Sequence, residues 1–288
     1  MAGTFLRRWF GGTPSAPAAD EARAEIDRLV AELPELREPF GWLRAILDDL
    51  VPTPGLVSSP LPTPEAAREK LLARVPLLRG EPIEVNAAEF ARRWKRITAA
   101  IGNAPPGLGD VVKRGRLGLV AVAASLIGGE PLELPGFDPP LVATIARFVL
   151  FPGFVPLSDT AVSLRQGVPW DHGYCPVCGS GPLLGEFRGL NQSRFLRCGL
   201  CTASWEVPRQ WCPACGNRDH ETLGFLSKES EENRYRVATC DVCRGGIKML
   251  SSLAALPPLM LLVADAATLH LDLAAADRGY TCPPAGAI

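Results

Sequence analysis

The chain has 288 residues, of which 47% are hydrophobic and 21% charged. That balance excludes a disordered chain and suffices for a sizeable core in one or two domains. Lys+Arg number 30 against 31 Asp+Glu, a net charge of -1, which removes the simplest argument for a general nucleic-acid binder.

The N-terminal stretch carries a twin arginine, Arg7-Arg8, followed by a run of small residues. An export signal would need an apolar segment next, but Trp9-Phe10 run straight into Gly11-Gly12-Thr13-Pro14. The best candidate runs, 117–127 and 259–276, do not support a membrane span. The first is too short, and the second carries Asp265, His270 and Asp272. The expectation is a cytoplasmic protein without membrane insertion.

The first half reads as helices separated by Pro and Gly. Residues 20–33 are amphipathic, with Ile26, Leu29, Val30 and Leu33 at helical spacing, and 39–51 continue in that style. Thr63 is placed to cap a helix that has Pro64 at its first position. Asn86 and Glu89 resemble a capping box, with Gly102 as the stop. Asp110 is expected to open an apolar helix running through Ile127, and Asp138-Pro139 another to about Leu150. The joints are 52–62, 102–109 and 128–138. From Phe151 the apolar runs shorten and cysteines set the rhythm. Beyond Gly246 a single closing helix is expected over 259–276, largely buried, with Asp265, Thr268 and Asp272 as a narrow polar stripe.

The chain has nine cysteines, and residues 1–174 contain none. Eight form C-x-x-C pairs: Cys175/Cys178, Cys198/Cys201, Cys212/Cys215 and Cys240/Cys243. In a reducing compartment such pairs point to metal or redox chemistry. Two C-x-x-C turns joined by a hairpin-length spacer bring four thiolates onto one ion. The predicted grouping is sequential. Cys175, Cys178, Cys198 and Cys201 make the first site, and Cys212, Cys215, Cys240 and Cys243 the second. In YCPVCG and WCPACG the Pro preorganises the turn. The Gly permits a positive φ that lets backbone N–H groups face the sulfurs. Strand-like pieces, PLLGEF, SRFLRC, ASWEV, ETLGFL and YRVATC, run between the turns. A tetrahedral sulfur site suits zinc or a single iron, and the spacing does not choose between them.

His172 and His220 flank the turns, and His270 lies in the closing helix; all three read as structural or surface residues. Trp205 and Trp211 beside the turns read as packing, and Cys282 as a bystander. Four ribbon-like pairs argue against a dithiol oxidoreductase, and no P-loop, nucleophile elbow or H-E-x-x-H motif occurs, so catalytic residues are not expected.

The blocks CPVCGSGPLLGEF, LRCGLCTASWEVPRQWCPACGN and CDVCRGGIKML resemble the FdhE family of formate dehydrogenase accessory proteins. The four pairs match the family's pairs, as do Trp205 and Lys248. Arg244 departs from the knuckle Gly usual at its position. The resemblance covers about residues 150–280. It implies an all-α domain over 1–165 and tandem rubredoxin-like modules over 166–250, at about 170–208 and 209–250. A closing helix and tail follow over 251–288, so the fold class is α plus small β. It further implies a non-catalytic maturation factor that binds the molybdenum-containing catalytic subunit of respiratory formate dehydrogenase. The family's sites are of iron, rubredoxin type, with zinc as the alternative. The competing readings are a zinc-ribbon nucleic-acid binder, disfavoured by the near-neutral cysteine region, and a small redox carrier.

Overall fold

A computed structural model describes residues 16–115, 117–128, 132–228 and 234–281. Arg7-Arg8 and Cys282 lie outside the described residues. The first half is helical, as expected: α1 (Ala16–Glu32), α2 (Arg37–Ile46), α3 (Pro64–Leu72), α4 (Ala87–Ala100), α5 (Leu119–Gly128) and α6 (Pro139–Thr160). Two short strands absent from the sequence reading, β1 (Val57–Ser58) and β2 (Glu84–Val85), pair antiparallel between the helices. On α1 the apolar stripe buries Ala22, Ile26 and Leu29, and on α4 it buries Phe90, Trp94 and Ile97.

The caps explain several boundaries. Thr63 Oγ1 accepts from Ala66 N at 3.3 Å, and Asp138 Oδ2 accepts from Leu141 N at 3.2 Å. The capping box forms only by half. Asn86 Oδ1 accepts from Glu89 N at 3.1 Å, but Asn86 N donates to Leu56 O, and Glu89 turns to Arg92 and Arg93. The two guanidinium groups outcompete a single backbone N–H for that carboxylate.

Two helix limits differ from expectation. Asp110 does not open α5. It ends a 3₁₀ turn, and Gly115 takes a φ of 65°, which interrupts the helix until Leu119. Conversely, α6 does not stop near Leu150 but continues through Pro152 and Pro156 to Thr160. Pro156 cannot donate to the Pro152 carbonyl, and Thr53 N fills that acceptor at 2.6 Å. Gly153 makes the close approach possible, because a Cβ there would lie 2.8 Å from Val57 N. At 22 residues and mean hydropathy 1.7, α6 is long and apolar enough to span a membrane, which the sequence reading overlooked; 61% of its most apolar window is buried in this fold.

The second half is built on one six-stranded sheet ordered β5-β4-β3-β8-β7-β6. Its strands are β3 (Pro182–Arg188), β4 (Ser193–Cys198), β5 (Ser204–Glu206), β6 (Leu223–Leu226), β7 (Tyr235–Cys240) and β8 (Gly246–Ser252). β3, β4 and β5 form one antiparallel unit, and β6, β7 and β8 another. The units join through a parallel pairing of β3 with β8, from Gly185↔Met249 to Arg188↔Ser252. The sequence reading missed β8. At the joint a Cβ on Gly185 would lie 2.5 Å from Met249 Sδ and 3.0 Å from Phe195 O, so a larger residue there would displace the methionine and crowd the β4 backbone.

The closing segment is two helices, α7 (Pro258–Ala267) and α8 (Leu269–Asp277), bent by 46°. Thr268 sits at the bend, and its hydroxyl donates to Ala264 O at 2.8 Å, in competition with the backbone ladder. α7 packs against α1 and α2, and α8 lies on β7 and β8. One continuous apolar core runs from Ile26 and Phe154 through Cys175, Cys178 and Leu196 to Met249 and Leu262.

Candidate metal centres

The four C-x-x-C turns share one backbone design. In each, the first cysteine N–H donates to the carbonyl five residues on: Cys175 to Ser180, Cys198 to Ala203, Cys212 to Asn217 and Cys240 to Gly245, at 2.8–3.0 Å. The residue after the second cysteine always has a positive φ: Gly179 84°, Thr202 59°, Gly216 77° and Arg244 57°. Arg244 therefore adopts the knuckle conformation without being glycine. A left-handed residue with a Cβ costs about 1–2 kcal/mol. The Arg244 side chain offsets this by lying 4.0 Å over the Tyr280 ring and pairing with Asp241 at 3.0 Å. Its turn still aims Gly245 N at Cys243 Sγ at 3.3 Å, as Val177 N faces Cys175 Sγ and Leu200 N faces Cys198 Sγ.

These turns collect the eight sulfurs into two groups, Cys175, Cys178, Cys198 and Cys201, and Cys212, Cys215, Cys240 and Cys243. Within each group all ligand atoms lie within 4.8 Å of one another. The closest separations are 3.4 and 3.5 Å in the first group and 3.6 and 3.8 Å in the second. A disulfide would need about 2.05 Å. A tetrahedral ion with sulfur at about 2.3 Å sets the sulfurs about 3.8 Å apart. The donor set and its spacing therefore fit a four-thiolate ion at both places.

Electrostatics point the same way. Burial pushes the Cys178 and Cys201 thiols up. Burial acts on Cys198 too, but hydrogen bonds from its three neighbouring thiols pull it down. In the second group, burial of Cys240 is outweighed by the Cys243 and Val242 N–H groups and Asn217, which bring it to about 7. In both groups burial opposes charge on the thiols, and a divalent cation offsets that penalty by favouring thiolate.

The first group is clamped by the helical half. Leu77 N and Leu78 N donate to Pro176 O and Val177 O, both at 2.9 Å, and Ser180 Oγ donates to Leu126 O at 2.6 Å. A Cβ on Gly179 would meet Ile127 O at 3.0 Å. Arg147 on α6 has a buried Nη1 with no hydrogen-bond partner. Burial lowers its pKa, while Cys198, Cys178 and Asp265 favour its charge.

Sequence reasoning missed the polar groups that hold the turns. Arg197 donates to Glu186 at 2.8 Å, to Leu256 O at 3.0 Å and to Thr202 O at 3.2 Å, which fixes the second turn. Arg194 donates to the carbonyls of Arg209 and Trp211 at 3.2 and 2.6 Å, which fixes the approach to the third. Burial depresses Arg194 to about 10, against the pull of Cys212. The polar stripe of the closing segment acquires a partner as well. Lys248 Nζ reaches Asp265 Oδ1 and Asp272 Oδ2, both at 2.6 Å, and Asp265 O at 2.9 Å. Helical periodicity groups the two acids but not Lys248 with them; the three meet only once β8 and the bent helices are packed.

The histidines stand outside both groups. His172 stacks on Tyr174 with ring centroids 5.4 Å apart, His220 is exposed, and His270 lies on α8. Trp205 is buried and donates to His172 O at 2.9 Å, and Trp211 is also buried.

Fold and clusters together define a class: a helical half clamped onto a tandem pair of four-cysteine knuckle modules that share one sheet. Comparison with known proteins is specific within that class. Residues 174–209 match the family model described as "FdhE, central domain", which takes in the first cysteine group and stops short of the second. The chain is 32% identical over 163 residues to an FdhE homolog of Stutzerimonas stutzeri, covering 56% of this chain and 51% of that one. It is 33% identical over 117 residues to an FdhE homolog of Aquifex aeolicus, covering 38% and 40% of the two chains. Against Escherichia coli FdhE it is 34% identical over 112 residues, covering 37% and 34%. The matched stretches thus span about half or less of these relatives. The solved structure of the FdhE protein from Pseudomonas aeruginosa shares the fold over 96% of this chain and 97% of that one, with a TM-score of 0.60 at 24% identity. These matches bear out the resemblance of the chain to the FdhE family.

Proposed function

We propose that this chain is an accessory protein for the maturation of respiratory, molybdenum-containing formate dehydrogenase. It acts in the cytoplasm on the catalytic subunit and carries no catalytic site of its own. The observation that carries the reading is the pair of four-cysteine groups set in an FdhE-like sheet, together with the family match over residues 174–209. Cys175, Cys178, Cys198 and Cys201 would hold one ion, and Cys212, Cys215, Cys240 and Cys243 the other. Iron is favoured by the family resemblance, and zinc fits the same donors. A bound ion supplies a rigid tetrahedral crosslink between two turns, and iron would add one-electron exchange.

The chain's own residues do the rest. Arg194 and Arg197 fix the turns through carbonyl hydrogen bonds, and Lys248 ties the sheet to the closing helices. The result is a stiff surface on which an immature partner can dock without large reordering cost.

The test is affinity capture of the tagged chain from anaerobically grown cells, with partners identified by mass spectrometry. Recovery of the catalytic subunit, lost on Cys178→Ser or Cys215→Ser, supports the reading. Recovery of nucleic acid or of an electron-transfer partner in its place favours one of the two alternatives.

A further inference from the structure

The two cysteine groups are not equivalent. In the first, Cys175, Cys178, Cys198 and Cys201 are each 0% exposed and belong to the main apolar core. Helical elements close over that group, with the Pro76–Leu78 loop and the end of α5 pressed onto the Cys175–Cys178 turn. In the second group Cys212 and Cys240 are buried, but Cys215 and Cys243 are exposed. Val242, between Cys240 and Cys243, is 63% exposed. A cavity of about 130 Å³, lined by Cys212, Cys240, Trp211, Phe225, Ile247 and Arg209, opens beside the same group.

A tetrahedral thiolate-bound ion exchanges when a fifth donor approaches it, which needs an open path to the ion or to a ligand sulfur. The second group offers that path in the folded state. The first offers it only after local opening of the core, whose free energy adds to the barrier.

We infer that the second group is an exchange-competent metal centre, open to soft donors such as a thiolate or a chelator, while the first keeps its ion until the fold opens. The inference rests on the metal reading of both groups given under Proposed function. It assigns the two centres different tasks. The first staples the helical half to the sheet. The second can take a donor sulfur from a partner into its coordination shell, or give up its ion to one.

The full chain, loaded with zinc alone, tests this. Challenge with pyridylazoresorcinol should release one equivalent quickly and one slowly, at rates at least about tenfold apart, the separation produced by about 1.4 kcal/mol. Cys215→Ser and Cys243→Ser should abolish the fast equivalent and keep the slow one. Iodoacetamide applied to the wild-type chain during the fast phase should alkylate peptides containing Cys212 to Cys243 and spare Cys175, Cys178, Cys198 and Cys201. That mapping does not depend on any variant folding. Release of both equivalents at one rate, or first labelling at Cys175–Cys201, overturns the division of roles but leaves the metal reading standing. Failure of the chain to bind zinc or iron at all overturns both.

Discussion

Lys248 joins the sheet to both closing helices through all three of its N–H donors. Its side chain is 7% exposed, and those of Asp265 and Asp272 are 32% and 27% exposed. Burial alone would lower the lysine pKa, but the two carboxylates outweigh it and raise the net value. Burial pushes the Asp265 carboxyl up, which Lys248 only partly opposes. Lys248→Met would leave two carboxylates facing each other across the bend at Thr268 with no cation between them. Breaking a buried pair in this way costs about 3–5 kcal/mol, and the partial exposure of the carboxylates places the loss near the lower end, about 3 kcal/mol. For a chain of this size that corresponds to a Tm lower by roughly 6–12 °C. Urea and thermal melts of the metal-loaded chain read it directly. Lys248→Met combined with Asp265→Asn should recover at least about 1 kcal/mol, because it removes one of the two facing charges, the one that burial already penalises. A loss below about 1 kcal/mol for the single change, as for a solvated pair, would refute the reasoning, and so would a double change no better than the single.

Gly153→Ala would drive a Cβ to within 2.8 Å of Val57 N on β1, a backbone atom that cannot swing away. A cost of about 1–3 kcal/mol in a denaturant titration is expected, whereas Gly102→Ala, which meets nothing within 4 Å, should stay within about 0.5 kcal/mol. Arg244→Gly relieves the left-handed strain but loses the stacking on Tyr280 and the pairing with Asp241. The two effects nearly cancel, so a stability change beyond about 1 kcal/mol would show that one of them was misjudged. Burial raises the Glu89 carboxyl, but Arg92 and Arg93 outweigh it and hold the pKa below its ordinary 4.5. Its stabilisation is therefore present above 4.5 and fades as pH falls through the lowered value. Glu89→Gln should cost about 1 kcal/mol at neutral pH and converge with wild type in acid; a gap that persisted below the lowered pKa would contradict this sign.

The parts legible in the sequence are those whose cause is local. Thr63, Asn86 and Asp138 cap helices because a side-chain oxygen needs only the N–H three residues ahead. The grouping of the eight cysteines follows from two short turns and hairpin-length spacers. Where prediction failed, distant chain intervened. α6 runs past Leu150 because Thr53 satisfies a carbonyl that Pro156 cannot. β8 escaped notice because its short apolar run follows the last C-x-x-C pair and becomes a strand through pairing with β3 and β7.

The sequence by itself thus determined the helical first half, the four knuckles and their sequential partnership, since each depends on contacts within a few residues or one hairpin. Only the tertiary structure decided that the two modules share one sheet, that Lys248 answers the acidic stripe of the closing helices, and that one cysteine group is sealed while the other faces water. Burial is a property of what packs over a residue, and the elements that cover the Cys175–Cys178 turn come from the far half of the chain.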